Sequence, residues 1–587
     1  MSSEHNTRLI ALQAAIQAAG LDGFIVPRSD EHLGEYVPPS AERLAWLTGF
    51  TGSFGVAIVL RDRAAIWSDG RYVLQLQMQT GDEWERFNWT DGKPWDWVKD
   101  HAAGKKIGYD PWLIPAEILG YFHGSDLVPV ANLVDGIWAE RPAPPTSPAM
   151  PHPVQYTGAD SAEKREKLAD ILKKAGQDAA VLTDPASLAW TFNLRAADVE
   201  FCPIPLGFAI VNADATATIF MPPEKIPPET LDHLGNSVAV ADRSALPAAL
   251  AALAGKTVRY DPATQPVWFK TTLAAAGAKI SEAPDPVLLP RATKNATEIA
   301  GSRAAHLRDG VAMAHFLAWL AKAAPTGNET EISAAEHLLA CRARGDLFKG
   351  ESFPAISGAG EHGAIIHYRV TPETNRQIKP DEVYLIDSGG QYLDGTTDIT
   401  RTIWTGPGAA PAEVKAHVTR VLAGHIALSQ AVFPEGVAGA HLDALARGAL
   451  WQAGLDYDHG TGHGVGAYLS VHEGPVNISR QAKPVPLAAG MILSNEPGYY
   501  LPGAYGIRME NLVLVQPADF PGKKTFLHFE TLTLAPFDRA LIEPALLSAE
   551  ALAWLNAYHA RVFLELSPHL AAAPETLAWL REATATI

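Results

Sequence analysis

The stretch DSGGQYLDGTTD places two carboxylates, Asp387 and Asp398, eleven residues apart at the ends of a glycine-rich segment. Asp, Gly, Ser and Thr are ordinary turn residues, so alone it reads equally as an acidic surface turn. Other polar residues gather in the same part of the chain. HGTGHGVG carries His459 and His463. Two histidines at i and i+4 share a face of a helix. Gly460, Gly462, Gly464 and Gly466 would cost such a helix roughly 1 kcal/mol each relative to alanine. The segment is therefore a turn or closely approached backbone, with histidines that are either structural or functional. VHEGP adds His472. LSNEPGYY puts Glu496 at the end of an apolar strand before a Pro-Gly turn, and GIRMENLVLV puts Glu510 at the start of another. In GAIIHYR, His367 falls in or just after an apolar run, a context that also suits a hydrogen-bonded core histidine.

An acidic residue where a buried strand meets a loop is costly unless it is paired or bound to metal. Asp387 closes VYLID and Asp398 opens DITRTIW. A hairpin between them lets both side chains point inward despite the odd spacing. Clustered carboxylates raise one another's pKa and cannot all ionise without cations. Two divalent ions balance four carboxylates. Oxygen-rich ligation with one imidazole suits Mn²⁺ first, with Co²⁺, Zn²⁺ or Fe²⁺ as alternatives. Arg508, two residues before Glu510, is either a support for these ligands or a surface strand residue.

Other motifs fall away. GAGEHG fits G-x-G-x-x-G, but a dinucleotide fingerprint must open a helix and strand-like AIIHYR follows. AGKT at Gly255 lacks the earlier glycine of a phosphate loop, and there is no H-E-x-x-H.

The elements that must position these residues occupy the last of three segments. A chain of 587 residues, 47% apolar and 19% charged, has material for about three or four globular domains. The net charge of −18 disfavours a nucleic-acid partner. With only Cys202 and Cys341, no disulfide framework is available, which points to a reducing, cytoplasmic setting. Leu9, Leu12 and Ile16 share a helical face and read as a structural helix rather than a signal peptide. No run of about 18 uninterrupted apolar residues suggests a membrane span. Proline-rich RPAPPTSPAMPHP (141–153) and APDPVLLP (283–290) divide the sequence.

The first two segments echo each other. AAGLDGFIV resembles KAGQDAAVL, and ERLAWLTGF, with Trp46, resembles ASLAWTFNL, with Trp190. This predicts two α/β domains in tandem. In the first, WSDGRY reads as a turn before a helix, with Arg71 a candidate for a substrate carboxylate. The third segment alternates apolar strands (EVYLID, RTIWT, MILSNEP, NLVLVQ) with helices. Thr297 is the expected cap of a long helix, and a helical tail carries Leu552, Leu555, Val562 and Leu566 at packing spacing.

An Asp, a second Asp eleven residues on, a Gly-rich His, a Glu-Pro and a final Glu resemble the pita-bread metallopeptidases, a family that includes methionine aminopeptidase, prolidase and aminopeptidase P. IIHY, HGTGHGVG and VHEGP resemble its proline-directed branch. Two creatinase-like domains before a catalytic domain are similar to three-domain cytosolic aminopeptidases P. The resemblance implies an α/β (α+β) protein with domains at 1–155, 156–290 and 291–587. It implies a dinuclear metal site of Asp387, Asp398, His463, Glu496 and Glu510. Asp398 and Glu510 would bridge the ions, with Asp387 on one and His463 and Glu496 on the other. It further implies hydrolysis of the bond before a proline at the second position, by a hydroxide held between the ions. Glu496 accepts its proton. His367 and His472 share oxyanion stabilisation and proton delivery, in an order the sequence leaves open, and His459 lines the proline pocket. Homodimerisation, short peptide substrates and a cytoplasmic location are implied too. The alternatives are a prolidase acting on X-Pro dipeptides, a peptide-binding module without catalysis, and metal-free creatinase-like C–N hydrolysis. The tandem N-terminal pair argues against the first, since prolidases usually carry one such domain. The complete ligand set argues against the others.

Overall fold

The computed structural model describes residues 2–522 and 524–587. The chain divides into two compact units, one of Met1–Val154 with Ala159–Leu288 and the other of Gln155–Gly158 with Leu289–Ile587.

The first unit contains two six-stranded sheets with the same strand order. In the first, Gly23–Pro27 pairs antiparallel with Val56–Leu60 and parallel with Lys106–Tyr109. In the second, Ala179–Leu182 pairs antiparallel with Phe208–Asn212 and parallel with Thr257–Tyr260. The sequence echo is therefore a duplicated topology. Trp46 and Trp190 sit on the helices Arg43–Thr48 and Pro185–Phe192 that follow the central strands. Leu9, Leu12 and Ile16 are buried on the helix Ser2–Ala18. The proline-rich stretch adds only Met150–Pro151, paired with Leu194–Arg195. Arg71 lies ahead of the helix Val73–Gln79, as expected. Its guanidinium is committed to Asp69 at 2.8 Å, with Glu35 at 3.7 Å.

The second unit opens with helix α1 (Ala296–Ala323), followed by α2 (Glu331–Arg342). Asn295, not Thr297, caps α1: its side chain accepts the N–H groups of Thr297 and Glu298, and Glu298 reaches back to the Asn295 N–H. An Asn followed three residues later by Glu forms a reciprocal capping box, which a Thr two places inside cannot. Next come β1 (Ile356–Ala359), β2 (Val383–Ser388) and β3 (Ile399–Trp404), a three-stranded antiparallel sheet with β2 in the middle. After α3 (Ala412–Ser429) and β4 (Val432–Pro434) the chain forms β5 (Gly462–Gly464), β6 (Glu473–Ile478) and β7 (Ile492–Asn495). A hairpin of β8 (Gly498–Leu501) and β9 (Tyr505–Arg508) leads to β10 (Asn511–Ala518) and β11 (Phe526–Thr531). The larger sheet runs β4-β11-β10-β7-β5-β6.

The period-two side-chain alternation of β10 sorts its residues to two faces. Val513 and Val515 pack with Leu428, Leu493 and Phe529. Leu512 and Leu514 pack with Val465, Ile492 and Leu532. A strand apolar on both faces is buried on both, which is why NLVLVQ carries no polar alternation. The tail forms a helix, Ala549–Leu566, burying Leu555, Val562 and Leu566 with Val418 and Leu422 of α3.

Candidate metal centre

Strand register brings the four carboxylates together. Asp387 lies opposite Thr400 in the β2–β3 pair. Asp398 precedes Thr400 by two residues, so both aspartates face the same side. The connection between them folds into a small hairpin of Gly390–Tyr392 with Gly395–Thr396. In the larger sheet Asn495 pairs with Asn511. Glu496 and Glu510, one step further out, therefore face each other where β7 ends and β10 begins. Glu510 donates its N–H to the Thr400 carbonyl at 3.2 Å, which ties the second pair to the first.

His463 enters on β5. Its N–H bonds Ser494 Oγ at 2.9 Å, and Ser494 Oγ donates to Glu496 Oε1 at 3.0 Å. The glycines of HGTGHGVG have a physical reason. A Cβ at Gly462 would lie 2.0 Å from the Ser494 carbonyl oxygen, and one at Gly464 2.2 Å from that of Glu473. The backbone of β5 thus threads between its neighbours with no room for side chains on either side of the imidazole. His463 Nδ1 lies 3.0 Å from the Gly464 carbonyl oxygen and donates to it. That leaves the Nε2 lone pair facing Asp398 Oδ2 at 3.5 Å and Glu496 Oε1 at 3.4 Å.

Ligand-type atoms of Asp398, His463 and Glu510 all lie within 4.8 Å of one another. Asp387 Oδ1, Asp398 Oδ1 and Glu510 Oε1 are buried with no hydrogen-bond donor. Buried oxygens without donors are expensive, and several turned inward beside an imidazole lone pair have the chemistry to hold a divalent cation. The protonation energetics agree. Burial pushes the Asp398 carboxyl well above the usual range, and the charges of Asp387 and Glu496 push it further. Burial does the same to Glu510, helped by Asp398, Glu496 and Asp387. Glu496 is raised by burial and held back by His463 and Arg508.

Arg508 is no surface strand residue: it is buried, and donates to Asp387 Oδ2 through Nη2 at 2.7 Å and Nε at 3.2 Å. Its Nη1 donates to Tyr500 Oη at 2.8 Å. His459 Nδ1 donates to the Gly460 carbonyl, so Nε2 accepts from Tyr500 Oη at 2.8 Å. His459 is thereby linked to Asp387 through Tyr500 and Arg508. Sequence reasoning passed over Tyr500. Its only signal was its place in the β8–β9 hairpin, where register puts Tyr500 and Arg508 on one face. Thr400, which donates to Glu510 Oε2 at 2.8 Å, was likewise missed.

His472 packs edge-on against His463, with ring centroids 4.3 Å apart. His367 is half-buried in a turn. The expectation of a strand over AIIHYR is wrong: Gly360–Ala364 is a 3₁₀ turn, and Ile365 and Tyr368 bond back to His362 and Ile365. A short apolar run does not by itself distinguish strand from buried turn. Tyr368, the next residue, packs with Ile356 and Leu385; Ile356 pairs directly with Asp387.

Residues 300–517 match the model of metallopeptidase family M24, and residues 525–587 match the model of that peptidase's C-terminal region. Residues 8–137 and 140–298 match two models of creatinase/prolidase N-terminal domains. A probable Xaa-Pro aminopeptidase P of Aspergillus fumigatus is 40% identical, over 99% of this chain and 92% of its own. The chain belongs to metallopeptidase family M24. The solved X-prolyl aminopeptidase of Caenorhabditis elegans, described as a cytosolic enzyme with a di-nuclear active site, matches this M24 chain over 100% of both, with TM-score 0.94 and 32% identity. The prolidase of Pyrococcus horikoshii shares the fold at 23% identity and TM-score 0.50, but covers only 65% of the chain. This M24 protein is a hydrolase with two creatinase-like domains ahead of a pita-bread domain.

Proposed function

We propose that this M24 metallopeptidase is an Xaa-Pro aminopeptidase, removing the first residue from short peptides whose second residue is proline. One observation carries the reading: the likeness to an X-prolyl aminopeptidase extends over the entire chain, both N-terminal domains included, at TM-score 0.94. A prolidase accounts for only 65% of it. The division into 1–155, 156–290 and 291–587 belongs to the same proposal and is supported by the matched ranges of the two domain models.

Asp387, Asp398, His463, Glu496 and Glu510 would hold two divalent ions, Mn²⁺ by preference and Co²⁺ or Zn²⁺ as alternatives. The donorless oxygens and the free imidazole lone pair support that assignment. Bound ions supply Lewis acidity for the scissile carbonyl and a nucleophile at neutral pH. The chain's own residues do the rest. Glu496 receives the nucleophile's proton. His367 and His472 stabilise the oxyanion and protonate the leaving nitrogen. The bond before proline is a tertiary amide, so that nitrogen has no hydrogen and must gain one to leave. His459, held by Tyr500, lines the proline pocket. The protein acts in the cytoplasm as a homodimer. A net charge of −18 disfavours a nucleic-acid partner, and among the described residues no helix is long and apolar enough to cross a membrane.

The test joins elemental analysis of the purified protein to hydrolysis of Arg-Pro-Pro peptides, X-Pro-Y tripeptides and X-Pro dipeptides. Metal-dependent release of the first residue from tripeptides is the expected result. Turnover of dipeptides alone makes it a prolidase, and full activity after metal removal overturns the reading.

A further inference from the structure

GAGEHG, set aside as a nucleotide motif, turns out to be wrapped around a buried acid. Glu331, in the first turn of α2, is completely buried. Its Oε1 accepts the Ala359 N–H at 2.9 Å and lies 2.9 Å from His362 Nδ1. Its Oε2 accepts the Tyr368 hydroxyl at 3.1 Å and the Arg376 N–H at 3.2 Å. An ionised carboxylate only accepts, so the His362 nitrogen donates. Its backbone joins in: the Glu331 carbonyl accepts from Ser357 Oγ at 2.7 Å, and its N–H donates to the Arg376 carbonyl at 3.1 Å. One acidic residue thus closes a loop from 357 to 376, and His367 lies inside it, directly before a residue the acid holds.

The far side of the loop is fixed as well. A Cβ at Gly358 would stand 2.9 Å from Gly363 Cα, and one at Gly506 only 1.7 Å from the Gly363 carbonyl oxygen. The loop backbone therefore lies directly on β9, which carries Arg508 to Asp387 two residues further on. Glycines that bind no phosphate instead allow contact between the His367 loop and the hairpin supporting a ligand.

We propose that Glu331 is a positioning residue for His367, fixing the imidazole relative to the metal centre through Tyr368 and the 357–376 loop. The inference rests on the proposed role of His367. In Glu331→Gln one acceptor oxygen becomes a donor, which then faces N–H or O–H groups and opens the clasp. Displacing a catalytic group by about 1 Å costs on the order of 100-fold in rate.

The experiment is a double-mutant cycle in kcat/KM on an X-Pro-Y tripeptide, using Glu331→Gln, His367→Ala and both together, with metal content and Tm measured for each. Glu331→Gln is expected to lower kcat by ~10- to ~100-fold with KM and metal content little changed. On the His367→Ala background the same substitution should cost less than about threefold, because the group it positions is gone. Equal losses on both backgrounds, or no loss in Glu331→Gln alone, overturn the inference while leaving the proposed function standing. Full activity in His367→Ala removes the role of His367, and this inference with it. If Glu331→Gln does not fold, Tyr368→Phe removes one of the four donors and enters the same cycle with the same outcomes.

Discussion

The chemistry of the site is set by carboxylates the fold cannot leave as free anions. Asp398 and Glu510 are held well above the usual carboxylate range by burial first and by neighbouring negative charges second. Without metal these groups hold their protons to higher pH than ordinary carboxyls do, and an ion must displace those protons to bind. Metal loading should therefore release protons, and affinity should rise with pH for as long as these groups are still protonated. Titration calorimetry with Mn²⁺ in two buffers of different ionisation enthalpy measures the count. Proton release that grows as the pH is lowered is expected, and none at any pH would mean that the cluster is already ionised. Arg508 does not remove this frustration, since its guanidinium is shared between Asp387 and Tyr500 and leaves three carboxylate oxygens without donors.

Among the elements, β5 has little room for change beside its candidate ligand. Gly462 and Gly460 flank the turn before His463, but only Gly462 is pressed against backbone. A Cβ at Gly460 would meet nothing nearer than 3.4 Å, an ordinary contact, against 2.0 Å at Gly462. Gly462→Ala should force β5 away from β7, displacing His463 from Glu496, at an overpacking cost of ~1–3 kcal/mol or more. Gly460→Ala should be nearly neutral. Thermal melts and Mn²⁺ affinity of the two variants read the contrast, and equal behaviour would remove the threading argument. The same strand shows what a sequence can carry. Apolar runs ending in Asp or Glu, interrupted by alternating glycines, express local rules of burial and backbone room, so the strands and the convergence of their acidic ends were legible. Residues whose partners lie far away in the chain were not. Tyr500 reads as one aromatic among several, and its meaning lies in Arg508 and His459. Glu331 looks like an ordinary first-turn acid until the loop around 357–376 folds over it. AIIHYR misled because the turn that buries it is held by tertiary contacts, which override the strand pattern of a short apolar run.

At the scale of the molecule, the second unit carries a sensitivity to acid that follows from how the C-terminal region braces the site. Arg401, fully buried, donates to the carbonyls of Glu510, Ala535 and Pro536 and to Asn511 Oδ1 and Tyr558 Oη. The strand that delivers Asp398 is thus locked to the helix Ala549–Leu566. Two buried histidines flank this network. Burial first, and the Arg401 charge second, pull His425 and His559 down to about 3. Their unfolded value is near 6.5, so between about 6.5 and 3 the unfolded chain binds more protons than the folded one. The stability they contribute is complete above about 6.5 and is lost as pH falls toward 3. At ~1.4 kcal/mol per unit this is an order-of-magnitude ceiling of ~5 kcal/mol each. Asp398 and Glu510 act in the opposite sense in metal-free protein, since carboxyls raised in the folded state favour folding as pH falls. Metal removes that compensation by holding them deprotonated. The melting transition of the second unit should therefore fall more steeply between pH 6.5 and 4.5 in the metal-loaded protein than in the metal-free one. His559→Gln keeps an acceptor for the Phe537 N–H, which now bonds His559 Nε2 at 3.1 Å, yet cannot titrate, so it should flatten the slope. Scanning calorimetry across that pH range measures both. A His559→Gln slope equal to the parent's would mean that the buried imidazoles do not set the acid limit, and that release of metal from the protonating carboxylates does.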